Sequence, residues 1–223
     1  MIVLVVLFVV GMMLTSRVMP FIIEHSPARE IQLNTFSPWD AISVYMRFAG
    51  IFTLIIGFPY ILFQTWGFVS PGLTTVERRT ALRYVPGAFV CILIGFVFAY
   101  FVVFPTAFYF SNSVTLSLGL KPTYGVKEFF SYMGNILLSI SLLFELPIVV
   151  MFLTAIHVIS PLVLRKIRKG AYVVLTVIAS MITPPDFISD ILILVPLILL
   201  FESSIWLSDR VYRRIQAREQ QDQ

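Results

Sequence analysis

Charged residues are scarce in this sequence. Only 13% of its 223 residues are Asp, Glu, Lys or Arg, whereas a globular domain usually has about 25%. Hydrophobic residues make up 58% of the chain, and its mean hydropathy is +0.92. They come in long runs, and runs of about 18 or more apolar residues are typical of membrane spans. The composition therefore excludes a soluble globular domain.

Cysteine and catalytic motifs are also scarce. Cys91 is the one cysteine, so the chain cannot form an intramolecular disulfide. The two histidines, His25 and His157, fall on opposite sides of the predicted membrane and cannot share a metal ion. The sequence contains no nucleophile-elbow, zinc-protease or phosphate-loop pattern. We therefore expect neither an enzyme nor a bound cofactor or metal.

The sequence instead contains six apolar segments, at residues 1–19, 44–66, 84–108, 129–159, 171–182 and 188–207. They predict an all-α membrane protein with six transmembrane helices, in which residues 1–223 form a single membrane domain. The segment 171–182 gives about 18 Å of helix, against a hydrocarbon core of about 30 Å. We expect the last two helices to be short and joined by a tight turn, because Pro184 and Pro185 stand between them.

Basic residues are shared unevenly between the two sides of the predicted membrane. Eleven lie on one side and five on the other, and the side richer in Lys and Arg faces the cytoplasm. Both chain termini are therefore expected in the cytoplasm. The net charge of +4 is explained by these basic residues at the ends of the spans, so it does not indicate a nucleic-acid partner. The eleven are Arg78, Arg79, Arg83, Arg165, Lys166, Arg168, Lys169, Arg210, Arg213, Arg214 and Arg218.

Glu145 stands near the middle of the fourth apolar segment. A charged residue at the bilayer centre costs about 2.5–3.5 kcal/mol on insertion scales. Such an acid must face water, be protonated or meet a polar partner, so it is a candidate functional residue. Pro147 follows it and cannot donate a hydrogen bond to the carbonyl of Leu143. We expect the helix to bend there and to leave a free acceptor beside the carboxyl group.

A second acid, Glu77, lies in the connection between the second and third segments, on the predicted cytoplasmic side. In this position Glu77 is able to receive a cationic peptide through charge-assisted hydrogen bonds. The alternative is a helix start at which Arg78 and Arg79 offset its charge. Composition alone favours the second interpretation.

Three acids accompany the last segment, and one of them, Asp190, lies in its first turn, where the helix dipole favours an acid. Asp186 follows the two prolines at the outer surface, where we expect it to cap the sixth helix. Glu202 lies near the inner end, where we expect it to reach lipid headgroups or the basic tail.

Four motifs occur in order along nearly the whole chain. They are Phe68-Val69-Ser70-Pro71-Gly72-Leu73 with Glu77-Arg78-Arg79, then Ala99-Tyr100-Phe101-Val102-Val103-Phe104-Pro105, then Phe144-Glu145-Leu146-Pro147, and last Thr183-Pro184-Pro185-Asp186. Through these motifs and their spacing, the chain resembles the TatC family of the twin-arginine protein translocase.

The resemblance implies a receptor in the cytoplasmic membrane for folded proteins with Arg-Arg signal peptides, driven by the proton-motive force. In such proteins the acid of the first cytoplasmic loop, here Glu77, helps to bind the paired arginines. Phe68, Leu73 and Arg78 would belong to the same recognition surface. Relatives also carry a cytoplasmic segment before the first span, which contributes a second acid. We expect that segment to be missing from the sequence as it begins here.

The resemblance also implies partners within the membrane. Glu145, beside Pro147, would meet polar residues of the single-span subunits TatA or TatB. The fifth and sixth spans would form a docking face for these subunits, and Asp186 matches an acid of the family at the outer surface. The chain is expected to form a homo-oligomer within a larger complex in the lipid bilayer.

One alternative comes from another functional class. A proton-coupled secondary transporter would use Glu145 as its proton relay. Such transporters often contain inverted repeats and paired broken helices, whereas this sequence shows no internal repeat.

Overall fold

A computed structural model describes residues 2–30, 33–69, 85–182 and 187–219. Within these ranges the chain is almost entirely helical, with one 3-10 turn (Pro27–Glu30) and two short strands, β1 (Leu33–Asn34) and β2 (Tyr124–Gly125). The helices are α1 (Ile2–Glu24), α2 (Asp40–Val69), α3 (Val85–Phe98), α4 (Phe104–Ser117), α5 (Val126–Leu143), α6 (Leu146–Ala155), α7 (Pro161–Lys166), α8 (Arg168–Ile182) and α9 (Phe187–Glu219).

Five helical stretches of the described chain are long and apolar enough to cross a bilayer, with 23 to 32 residues each. They correspond to the first four and the sixth of the predicted segments. The fifth segment forms α8, which has 15 residues and is short as expected. The five stretches are Ile2–Glu24, Asp40–Gln64, Pro86–Ser117, Val126–Ala155 and Asp190–Gln216.

The last helix is longer than predicted. α9 has 33 residues, whereas the apolar segment 188–207 indicated a short helix. The polar tail continues the helix because it is rich in Arg, Glu, Gln and Ala, which all have high helix propensity. The expectation of two short final helices is therefore confirmed for α8 and wrong for the length of α9.

The third span contains a π-helical turn, Ala99–Val103, which joins α3 to α4. At its end the backbone N–H of Phe104 donates to the carbonyl of Ala99, five residues earlier. Pro105 accounts for the wider turn, because it has no N–H to donate to the carbonyl of Phe101. Ala99 and Val103 are fully buried, so this side of the irregular turn packs against protein, whereas Phe101 on the other side is 64% exposed.

α5 lies at the centre of the packing, in contact with both α2 and α3, while α1 lies along α2. An aromatic cluster fills the space beside α5. The ring of Phe129 meets the rings of Phe104 and Phe108 edge to face, with centroid distances of 5.5 and 5.4 Å. α9 packs along α6 and also contacts α8, so the end of the chain folds back onto the helix that follows Glu145.

The connections before α2 and before α5 meet at one end of the bundle. β1 pairs in parallel with β2, and Leu33 lies opposite Tyr124. Asp40 is buried, and its carboxylate accepts hydrogen bonds from the backbone N–H groups of Phe36 and Ser37, both at 2.8 Å. These contacts fix the entry into α2.

Glycine permits close approach at two helix crossings. A Cβ added at Gly95 of α3 would lie 2.8 Å from the Cβ of Phe144 and 2.9 Å from the Cα of Ser141. A Cβ added at Gly11 of α1 would lie 3.0 Å from the Cα of Ala49 in α2. Small residues at crossings of membrane helices allow such contact between backbones. The crossing of α3 over the end of α5 therefore requires glycine at position 95.

We expect Gly95→Ala to destabilise the fold by about 1–3 kcal/mol, because the added methyl group pushes α3 away from α5. Gly50→Ala is the matched control, since a Cβ at Gly50 meets no atom within 4 Å. Its effect should stay within about 0.5 kcal/mol. Thermal unfolding of the two purified variants in detergent measures the difference. Equal melting temperatures would contradict the close packing at Gly95.

Candidate functional site

Glu145 occupies a break between two helices in the middle of the fourth span. α5 ends at Leu143, and α6 begins at Leu146. The backbone N–H of Glu145 bonds to the carbonyl of Leu142 at 3.1 Å, three residues earlier instead of four. Pro147 lies in the first turn of α6. The bend predicted from Pro147 is confirmed.

The carboxyl group of Glu145 is buried inside the bundle. The residue is 4% exposed, and its Oε1 atom has no hydrogen-bond partner in the described part of the chain. The nearby hydroxyl of Ser141 is already committed, since it donates to the carbonyl of Leu137 at 2.6 Å. A buried acceptor without a donor is costly in a bilayer. The arrangement therefore suits a hydrogen-bond donor that comes from outside the described residues.

α3 forms the wall opposite this acid. Gly95 is in contact with Phe144, the residue before Glu145. Cys91, one helical turn before Gly95, lies within electrostatic range of the carboxyl group. Because Gly95 has no side chain, the α3 backbone lies close to the helix break. Cys91 lies on the same side of α3, one turn earlier.

The side chains of the other predicted site residues lie outside the described part of the chain. Phe68 lies in the last turn of α2, but its side chain is outside the described residues, as are Leu73, Glu77 and Arg78. The turn with Pro184, Pro185 and Asp186 also lies outside them. The geometry of the predicted signal site therefore stays a prediction.

A polar network between the start of α8 and the middle of α9 was missed by the sequence analysis. Glu202 accepts a hydrogen bond from Arg168 at 2.9 Å and another from the hydroxyl of Tyr172. Arg165 of α7 forms an ion pair with Asp209. Glu202 was expected to reach headgroups or the tail, and it binds the start of α8 instead. The partners are 30 or more positions apart in sequence, so no local pattern pairs them.

A buried hydroxyl pair connects α6 with α9. The side chains of Thr154 and Ser208 lie 2.7 Å apart, and both residues are fully buried. Hydrogen bonds of this kind hold helices together where apolar association is weak, as it is in lipid. The helix that begins beside Glu145 is therefore fixed to α9, and α9 is fixed to α8 by Glu202.

The described residues contain no group of three or more His, Cys, Asp or Glu side chains that could hold a metal ion. The acids instead face protein donors, as Glu202 and Asp209 do, or stand alone in an apolar setting, as Glu145 does.

Comparison with known families places these features in context. The family model of TatC, the Sec-independent protein translocase protein, matches residues 1–196. The chain belongs to the TatC family. A TatC protein from Halalkalibacterium halodurans is 41% identical over 215 residues, which cover 96% of this chain and 85% of the relative. TatCy from Bacillus subtilis is 37% identical over 212 residues, which cover 95% and 84%.

A solved TatC structure has the same fold. The crystal structure of the twin arginine translocase receptor TatC in DDM superimposes with a TM-score of 0.79 and 29% identity, and covers 93% of each chain. The all-α, six-span architecture is confirmed, and so is the resemblance to the TatC family. This TatC-family chain is a multi-pass membrane protein and a subunit of the twin-arginine protein translocase.

We expect Glu202→Gln to loosen α8 from α9, because the neutral amide loses its ion pair with Arg168. Both side chains are partly exposed, so the cost is about 1 kcal/mol or less. Hydrogen exchange of the α8 amides should accelerate by up to about fivefold. Glu24→Gln, at an exposed acid at the end of α1, is the control. Identical exchange of α8 in both variants would show that Glu202 does not hold this helix.

Proposed function

We propose that this chain is the signal-recognising core of the translocase, which exports folded proteins with Arg-Arg signal peptides across the cytoplasmic membrane and uses the proton-motive force. The observation that carries the proposal is the buried Oε1 atom of Glu145, which has no donor in the described chain. An acid so placed lowers its free energy by meeting a donor from a second protein. Such an acid is therefore expected in a subunit that assembles with other proteins inside the membrane.

The donor comes from a single-span subunit of the TatA or TatB type. A polar side chain within an apolar transmembrane helix is itself costly to bury, so its hydrogen bond with Glu145 satisfies both groups. The helix break adds a second acceptor, because Pro147 has no N–H for the carbonyl of Leu143. A hydroxyl or amide of the partner thus finds two acceptors close together.

α8 and α9 supply the docking face for such a partner. α8 turns Val173, Val177 and Met181 outward, at helical spacing, and all three are exposed. At 15 residues α8 is also shorter than a bilayer core is thick, so a neighbouring helix relieves the mismatch. The charged network at Arg168 and Glu202 fixes the inner end of this face. The chain works in more than one copy within the larger complex.

Signal recognition belongs to the cytoplasmic side. The eleven-to-five distribution of basic residues supports cytoplasmic N- and C-termini, with all residues acting as one membrane domain. The connection between α2 and α3 then faces the cytoplasm, where Glu77 binds the paired arginines. Phe68, Leu73 and Arg78 complete the surface that receives the signal peptide, and Pro184, Pro185 and Asp186 form the outer turn.

Replacing Glu145 tests the membrane contact. Cys91 is the one cysteine and lies near Glu145, so a thiol-reactive crosslinker attached there reports on an adjacent TatA or TatB helix. We expect Glu145→Ala to lower the crosslinking yield about tenfold through loss of a charged hydrogen bond. Glu145→Gln should lower it less, because the amide still accepts.

The matched control is Glu24→Ala, which removes an exposed acid from the end of α1 and should leave the yield unchanged. Membrane insertion of all three variants is verified by fractionation. Normal export of a twin-arginine passenger by Glu145→Ala, with an unchanged crosslinking yield, would overturn the role of this acid.

Photo-crosslinking from a probe at Thr75, beside Glu77, tests signal recognition. The probe is offered a twin-arginine signal peptide and its twin-lysine counterpart, with this chain and with a version extended by a cytoplasmic N-terminal segment. We expect preferential crosslinking of the Arg-Arg peptide, and its loss in Glu77→Gln, because a bidentate guanidinium pair needs the carboxylate. Equal yields for both peptides in both versions would contradict receptor function. Proton-coupled solute uptake by liposomes with this chain alone would then favour a transporter.

A further inference from the structure

An apolar groove lies between α1, α2, α3, α5 and the π-helical turn, and no described residue of α8 or α9 lines it. Its volume is about 400 Å³, which is within the range of small-molecule sites. Every lining side chain is apolar except for the hydroxyl of Tyr100, which donates to the carbonyl of Ile22 at 3.5 Å. The groove is therefore dry along its length and has its one polar point at the end of α1.

The groove is elongated along α1 and partly open. Its α1 wall extends from Leu14 to Ile22, which corresponds to about 12 Å of helix. The rims are exposed aromatic rings, since Phe21 of α1 is 57% exposed and Phe101 of the π-helical turn is 64% exposed. The groove thus opens sideways, towards the hydrocarbon that surrounds a transmembrane bundle.

Arg17 stands at the rim of this groove. It lies three residues after Leu14 and four before Phe21, so the three side chains share one side of α1. Arg17 is exposed, and the described residues place no carboxylate within ion-pair distance of it. It lies seven residues before the end of the spanning stretch Ile2–Glu24, which is about 10 Å of helix, and its long side chain extends its charged head towards the phosphate level.

We propose that the groove and Arg17 together form a binding site for one anionic phospholipid, with its phosphate on Arg17 and one acyl chain between α1 and the π-helical turn. Water does not fill a cavity that is lined in this way, and an empty cavity loses dispersion contacts. A single acyl chain fits the groove, and the free guanidinium supplies the complementary charge.

The site is tested by photo-labelling in bilayers. The purified chain is reconstituted in phosphatidylcholine vesicles that contain either phosphatidylglycerol or phosphatidylcholine with a photoreactive group near the end of one acyl chain. Adducts are then located by mass spectrometry. We expect phosphatidylglycerol to label the groove peptides about fivefold more than phosphatidylcholine, the effect of about one basic residue near an anionic headgroup.

Three variants test the contribution of the Arg17 charge and that of the apolar groove separately. Arg17→Gln should abolish the preference for phosphatidylglycerol, and its fold should be unaffected because Arg17 is exposed. Val18→Trp should fill the groove and remove labelling by either lipid. Lys121→Gln replaces another exposed basic residue as a control and should change nothing. Equal labelling by both lipids in the unmodified chain, or a preference that survives in Arg17→Gln, would overturn the proposal.

Discussion

The structure depends on one constraint, which is that backbone N–H and C=O groups must be satisfied inside hydrocarbon. Regular α-helix meets it along most of the spanning segments described and is interrupted at two places. One is the π-helical turn Ala99–Val103, and the other is the break at Phe144 and Glu145. Ala99, Val103 and Glu145 are buried, so both interruptions pack against protein on at least one side. The unpartnered acid is placed at one of these irregularities.

A second consequence is that the position of Glu145 depends on contacts far from it. α6 starts beside the acid and is fixed to α9 by the Thr154–Ser208 hydrogen bond. α9 in turn holds the start of α8 through Glu202 and Arg168. The buried acid, the short helix α8 and the polar network at the start of α8 are therefore parts of one connected unit. A partner that docks on α8 has a mechanical connection to the environment of Glu145.

Much of this fold could be predicted from the sequence, for a physical reason. Spans are set by hydropathy and breaks by proline, which are both local properties, so the six spans, the short α8 and the bend at Pro147 were foreseen. The π-helical turn before Pro105 was missed, although a proline inside an apolar run is a signal for it. Pairs such as Glu202 with Arg168 depend on helix packing and have no local signal. The position of Glu145 in the middle of a span was predicted, whereas its burial inside the bundle and its missing donor were found only in the structure.

The groove and the buried acid are related through α5. Met133 and Leu137 line the groove, and Ser141 and Glu145 follow at intervals of four residues. Met133, Leu137 and Ser141 therefore lie on one side of α5, and the groove lies along the side of α5 that leads towards the break at Glu145. An acyl chain in the groove would then exclude water from one approach to Glu145. Because water could not reach Glu145 from that side, a hydrogen-bond donor from a protein would become the more favourable partner for its carboxyl group. Assembly with a second subunit supplies such a donor.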